Sequence, residues 1–186
     1  MSVYPADFSE VRRMTLSLGT FPEGALRAGM LFRLDATNGG VAPVFGTGAT
    51  RPTTDVLSNV NNLYGVSLNG AEEANDPVAT GLPDYAGQAH VKRVSVAVCV
   101  PHREIVVFPI NKTTGEIDYT QAVASNIGRP VGIYYRNVSV TVGGTNYWVH
   151  VGGTVDGSET SGYVVGITRD RRLIVRIVRS KWAELA

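Results

Sequence analysis

Residues 94–100 read Val-Ser-Val-Ala-Val-Cys-Val. Valine at every second position puts one branched face on one side of a strand and small side chains on the other. A helix has no use for a period of two, so this run predicts a half-buried β-strand. Similar runs follow. Residues 105–110 are apolar and β-branched, and residues 163–167 and 173–177 alternate in the same way. Several short strands divided by Gly, Asn and Asp turns imply an all-β chain, an antiparallel β-barrel or β-sandwich.

Parity sets the expected pairings, because directly opposed residues share a face. A four-residue loop at 101–104 would pair Val100 with Ile105 and Val98 with Val107. A second, at 143–146, would pair Val142 with Tyr147 and Val140 with Val149. In the last hairpin Tyr163, Val165 and Ile167 match Ile177, Val175 and Leu173, which leaves the odd-numbered stretch 168–172 between the apolar pairs. Within 131–142 the apolar parity flips from odd to even near Arg136 and Asn137. That flip requires a bulge or a change of buried face. One short helix is expected, over 121–126, capped by Thr120 and stopped at Gly128.

The first half is less regular. Strands are expected near 26–35 and over 63–68, the latter leaving through the Asn69-Gly70 turn. Residues 39–62 and 69–90 are rich in Gly, Thr, Asn and Pro and read as long loops. Residues 1–24 lack a clear period, apart from a short alternation over 14–18. They are expected as an extended N-terminal arm on a single β domain, 25–186. Tyr4, Phe8 and Phe21 in that arm flank Arg12 and Arg13, which suits draping over a neighbouring chain. On this reading, removing residues 1–20 leaves the domain's melting unchanged. Arg51, Arg171 and Arg172 are further candidates for a protein interface.

The chain has 186 residues, 44% of them hydrophobic and 18% charged, with a net charge of +1. So small a net charge provides no global field toward nucleic acid, and no specific nucleic acid is expected. No apolar run approaches the ~18 residues of a membrane span, and no leader is visible at the start. Synthesis in a cytoplasm is expected. Cys99 is the single cysteine, which excludes an intrachain disulfide.

The candidate chemistry is thin. Cys99 and His102 are three apart but read as a strand thiol and a turn histidine. His90, His102 and His150 lack metal-ligand spacing. Asp84, Glu104, Asp118 and Asp156 read as solvated turn acids. The glycine-rich run at 46–50 lacks the Lys-Ser/Thr of a phosphate loop. No cofactor, metal or catalytic residue is expected, and the chain reads as a non-enzyme. Tyr134, Tyr135, Tyr147 and Trp148 cluster on neighbouring strands and would serve as core or as a sugar-binding platform. Residues 169–181 carry an excess of arginine, read as a solvated hairpin face.

Two segments carry a resemblance. "ALRAGMLFRLDATNGGVAPV" from residue 25 and "NNLYGVSLNGAEEA" from residue 61 resemble segments of bacteriophage capsid decoration, or cement, proteins of a small β-barrel type. Ala28-Gly29-Met30-Leu31 stands for the first family segment, and residues 64–71 for the second. The resemblance covers about a quarter of the chain. The residues after Glu72 depart from the family, where a strand follows closely, and the strands after Val131 have no counterpart there. It implies a virion structural protein, made in the host cytoplasm, that binds the outer surface of a phage capsid. Its partners would be the major capsid protein and its own copies, a trimer being favoured. Another phage component (neck, tail or adaptor) and a carbohydrate-binding β-sandwich are the alternatives.

Overall fold

The computed structural model describes residues 3–5, 11–35, 37, 40–59, 63–68, 93–98, 104–157 and 161–178. In chain order the elements are β1 (Val3–Pro5), β2 (Val11–Thr15), β3 (Leu31–Leu34), β4 (Val41–Pro43), β5 (Gly46–Thr47) and a one-turn helix, α1 (Val56–Asn59). Then come β6 (Leu63–Ser67), β7 (Arg93–Val98), β8 (Glu104–Val107), β9 (Pro130–Tyr135), β10 (Ser139–Val142) and β11 (Thr145–Trp148). The last three are β12 (Val151–Val155), β13 (Gly162–Ile167) and β14 (Leu173–Ile177). The fold is all-β, and every strand ladder among the described residues is antiparallel.

Three sheets result, ordered β1-β8-β14-β13-β9-β12, β2-β7-β6-β3-β4 and β10-β11-β5. The two larger sheets curl. In the first, the edge β12 meets the chain just beyond β8 through a parallel bridge between Pro109 and Gly153. The Gly153 N–H donates to the Phe108 carbonyl and the Ile110 N–H to the Gly153 carbonyl, each at 2.9 Å. In the second, Leu16 just beyond β2 bridges Val41 of β4. Neither sheet is a closed barrel, since a single bridge replaces a ladder at each seam.

Two apolar clusters follow from this curling. One gathers Val107, Val131, Ile133, Val151, Leu173 and Val175 inside the first sheet, together with Leu31, Leu63 and Val66 of the second. The other lies against the opposite face of the second sheet, around Phe32, Val41, Tyr64, Val94 and Val96. The second sheet is thus covered on both faces. That explains why β6 is buried at all five positions rather than at alternate ones.

Several sequence expectations are corrected. β7 and β8 do not pair with each other. Val98 lies opposite Gly65, and Val107 lies between Val3 and Leu173, in a different sheet. Parity constrains which faces match but does not choose the partner strand. The loop at 143–146 is a two-residue turn, with Val142 opposite Thr145 and Val140 opposite Tyr147. Gly143 and Gly144 have φ of 58° and 78°, the left-handed pair that a tight hairpin turn requires. Residues 121–126 form no α-helix. Tyr119–Gln121 and Ala124–Asn126 are separate 3-10 turns, and the cap is Asp118, whose carboxylate accepts from the Thr120 N–H.

The loop expected over 39–62 contains β4, β5 and α1. Asp55 starts that helix by accepting from the Leu57 N–H at 2.8 Å, and its buried carboxylate also takes the Ser161 hydroxyl. The parity flip after Tyr135 is a change of sheet. β9 belongs to the first sheet and β10 to the third. The last hairpin has the expected pair Ile167–Leu173, but a bulge after Val164 sets Val164 opposite Val175.

Of residues 1–24, β1 and β2 are strands paired within this chain, Val3 is fully buried, and Phe21 is core. An irregular period did not prevent pairing, because an edge strand needs only one matched face. Residues 69–92, 99–103 and 179–186 lie outside the described residues, as do Asp84, His90, Cys99, His102 and the Asn69-Gly70 turn.

Candidate functional site

The sequence-selected residues do not gather at one place. Tyr4 lies opposite Val106, Arg12 opposite Val96 and Arg13 opposite Ser95. Arg12 is exposed, and Phe8 lies outside the described residues. Phe21 is withdrawn from any interface. It is 2% exposed, and its ring meets Phe45 at 4.8 Å and Tyr147 at 5.6 Å between centroids.

Arg51 is an internal clasp. Its guanidinium donates to the carbonyls of Tyr135 at 2.9 Å, Lys112 at 2.8 Å and Thr113 at 2.6 Å. It ties the segment before α1 to the turn after Ile110 and to the end of β9. Partial burial lowers its pKa from the ordinary arginine value.

Tyr134 and Trp148 offer no open platform. Tyr134 is fully buried, and Trp148, 6% exposed, donates its indole N–H to the Gly48 carbonyl at 3.1 Å. Glu104 on β8 pairs with Arg176 on β14 at 2.7 Å, and Asp156, just past β12, pairs with Lys112 in the turn after Ile110 at 3.0 Å. No group of three or more His, Cys, Asp or Glu among the described residues could hold a metal ion. No helix there is long and apolar enough to cross a membrane.

Two neighbouring features remain on the outside of the first sheet. The first is the loop 119–128. Gln121 anchors it, its amide nitrogen donating to the Ile110 carbonyl at 2.8 Å and its oxygen accepting from the Val155 N–H at 2.8 Å. Farther on, the Gly128 N–H donates to the Val164 carbonyl at 2.7 Å, which seats the loop beside β13. Held this way, the loop presents Tyr119, Val123 and Ile127 to solvent, with Tyr163 of β13 exposed nearby. Arg171 joins them. It donates to the Tyr119 carbonyl at 2.9 Å and stands over the Tyr119 ring at 5.5 Å.

The second feature is a pair of arginines on one ring. Register places Phe108 beside Arg172, next to the Val107–Leu173 pair. The Arg172 guanidinium lies 4.1 Å from the Phe108 ring centre and that of Arg136 lies 4.9 Å from it. Arg136 follows β9, where its N–H donates to the His150 carbonyl at 2.8 Å. Burial first, and then the Arg136 charge, push the His150 imidazole down to about 4.

Sequence reasoning selected Arg171 and Arg172 but missed Arg136, Phe108 and the 119–128 face. The available signal was Val123 and Ile127, four apart, the first inside the stretch 121–126 read as a helix and the second just after it. Compared with known families, curated proteins and solved structures, the chain finds no match in any of the three.

Proposed function

We propose that this chain is a non-enzymatic structural protein of a phage virion, which binds the outer surface of the capsid and ties capsomers together as a trimer. The observation that carries the reading is the placement of the two segments that resemble decoration proteins. Their described parts, residues 27–34 and 63–68, run side by side. Leu31 lies opposite Val66, the Gly29 N–H donates to the Ser67 carbonyl at 2.8 Å, and the Ser67 N–H donates to the Met30 carbonyl at 2.9 Å. The Ser67 hydroxyl adds a bond to the Arg27 carbonyl at 2.9 Å. Two short motifs separated by some thirty residues thus form one unit at the centre of the second sheet.

The face at 119–128 supports a role in assembly. Exposed Tyr, Val and Ile beside an arginine have the composition of a protein interface. An interface works here by buried area alone. It raises the free energy needed to separate subunits and requires no reacting group.

The test is co-sedimentation of the purified chain with capsid shells of its own virus. Light scattering would supply its mass in solution. Saturable binding of the intact chain is expected, with the mass of a trimer. Ile127→Asp and Tyr163→Asp should lower binding at least tenfold while leaving the melting temperature within a few degrees, because both residues are exposed. A folded chain that ignores the shells at every concentration removes this reading.

A further inference from the structure

Arg136 is half-buried, and its Nε is sealed from solvent with no hydrogen-bond partner. No described residue accepts a hydrogen bond from its guanidinium, although Glu116 is close enough to act on its charge. The Glu116 carboxylate instead accepts from the Asn137 side-chain amide at 2.7 Å. A guanidinium carries five N–H donors, and the one on the sealed Nε is unpaired, which is unfavourable.

A second cation stands beside it. Arg172 shares the Phe108 ring and is already paired with Asp170 at 2.7 Å. Each guanidinium raises the electrostatic cost of holding the other at the same ring. An anion relieves this crowding in part. A planar oxyanion on the outer nitrogens of Arg136 would pair the donors there and screen its charge from Arg172.

We infer that Phe108, Arg136 and Arg172 form an anion-binding site, and that its ligand is a carboxylate group. A carboxylate is favoured over phosphate by charge. Arg136, Arg171 and Arg172 are offset nearby by Glu116 and Asp170, so the surroundings suit a single negative charge. The planar fork of an arginine also matches a carboxylate with two parallel bonds. The site is independent of the capsid reading, since it rests on none of the segments that carry that resemblance.

The experiment is an NMR titration of the full chain with sodium acetate at pH 7, with sodium chloride holding ionic strength constant. The signals followed are the Arg136 Nε–H, the Phe108 ring and the His150 imidazole. Saturable shifts at the first two are expected, and the His150 pKa should rise in saturating acetate. Arg136→Gln should abolish the saturable shift at Phe108, and Arg172→Gln should weaken binding about tenfold. Arg136→Lys, which retains the charge without the fork, should also weaken it about tenfold. Thermal melts of the variants establish that they are folded. Non-saturating shifts in the wild type, or equal acetate binding by Arg136→Lys, overturn the site. Inorganic phosphate binding more tightly than acetate overturns the carboxylate assignment.

Discussion

His150 lies next to β12 with its imidazole partly withdrawn from water and close to the positive charge of Arg136, with Arg27 contributing more weakly. An unfolded histidine titrates at its ordinary 6.5, whereas this one resists protonation until about 4. Between those values the unfolded chain binds a proton that the folded chain refuses. Stability is therefore fully present above pH 6.5 and falls as the pH drops toward 4. The imidazole keeps partial contact with solvent, which screens the effect, so the loss is on the order of 1–2 kcal/mol across the window. Replacing the imidazole with a group that does not titrate, His150→Gln, should flatten the change between pH 7 and 4.5. Urea midpoints at those two pH values measure it. Equal falls in the wild type and the variant would remove His150 as the cause.

Among the elements, β6 has the least room. A Cβ on Gly65 would stand 2.1 Å from the Ala97 carbonyl oxygen and 2.6 Å from Val96 Cγ1. Only glycine lets β6 and β7 approach this closely. Gly65→Ala should therefore destabilise the chain by on the order of 3 kcal/mol, read as a lowered urea midpoint. An unchanged midpoint would mean that the β6–β7 ladder is not as described.

The same strands show what was legible in the sequence. Leu63–Ser67 and Leu31–Leu34 fall where apolar runs and turn residues placed them, because local alternation and turn chemistry act over a few residues. The odd loop after Ile167 was legible for the same reason. Partner choice was not. Val98 and Val107 have the parity of a hairpin, but each strand is buried between two others, and the free energy of covering both edges decides its place. The bulge in β13 and the two glycines at 143–144 depend on sheet twist, which a period count does not contain. α1 left a signal in Asp55 followed by Val56 and Leu57, obscured by the polar run before it. Of the candidate site, the arginines were visible as residues. The Phe108 ring between them was not, because their meeting depends on sheet register.

The whole molecule is organised by two curled sheets, each using a strand from the first fifteen residues. β1 extends the first sheet beside β8, and β2 covers β7 in the second, where the Ser17 N–H donates to the Val41 carbonyl at 2.8 Å to draw the seam together. Val3 is fully buried and Leu16 is 7% exposed. The N-terminal stretch thus belongs to the folded unit, and any role at an interface is additional to that. Removing residues 1–20 tests this most directly. Thermal unfolding of the truncated chain, followed by circular dichroism, should show a melting temperature at least about 10 °C lower, or no cooperative transition. The exposed β7 and β8 edges would then promote aggregation. A truncated chain that melts cooperatively at the temperature of the intact one would contradict the account.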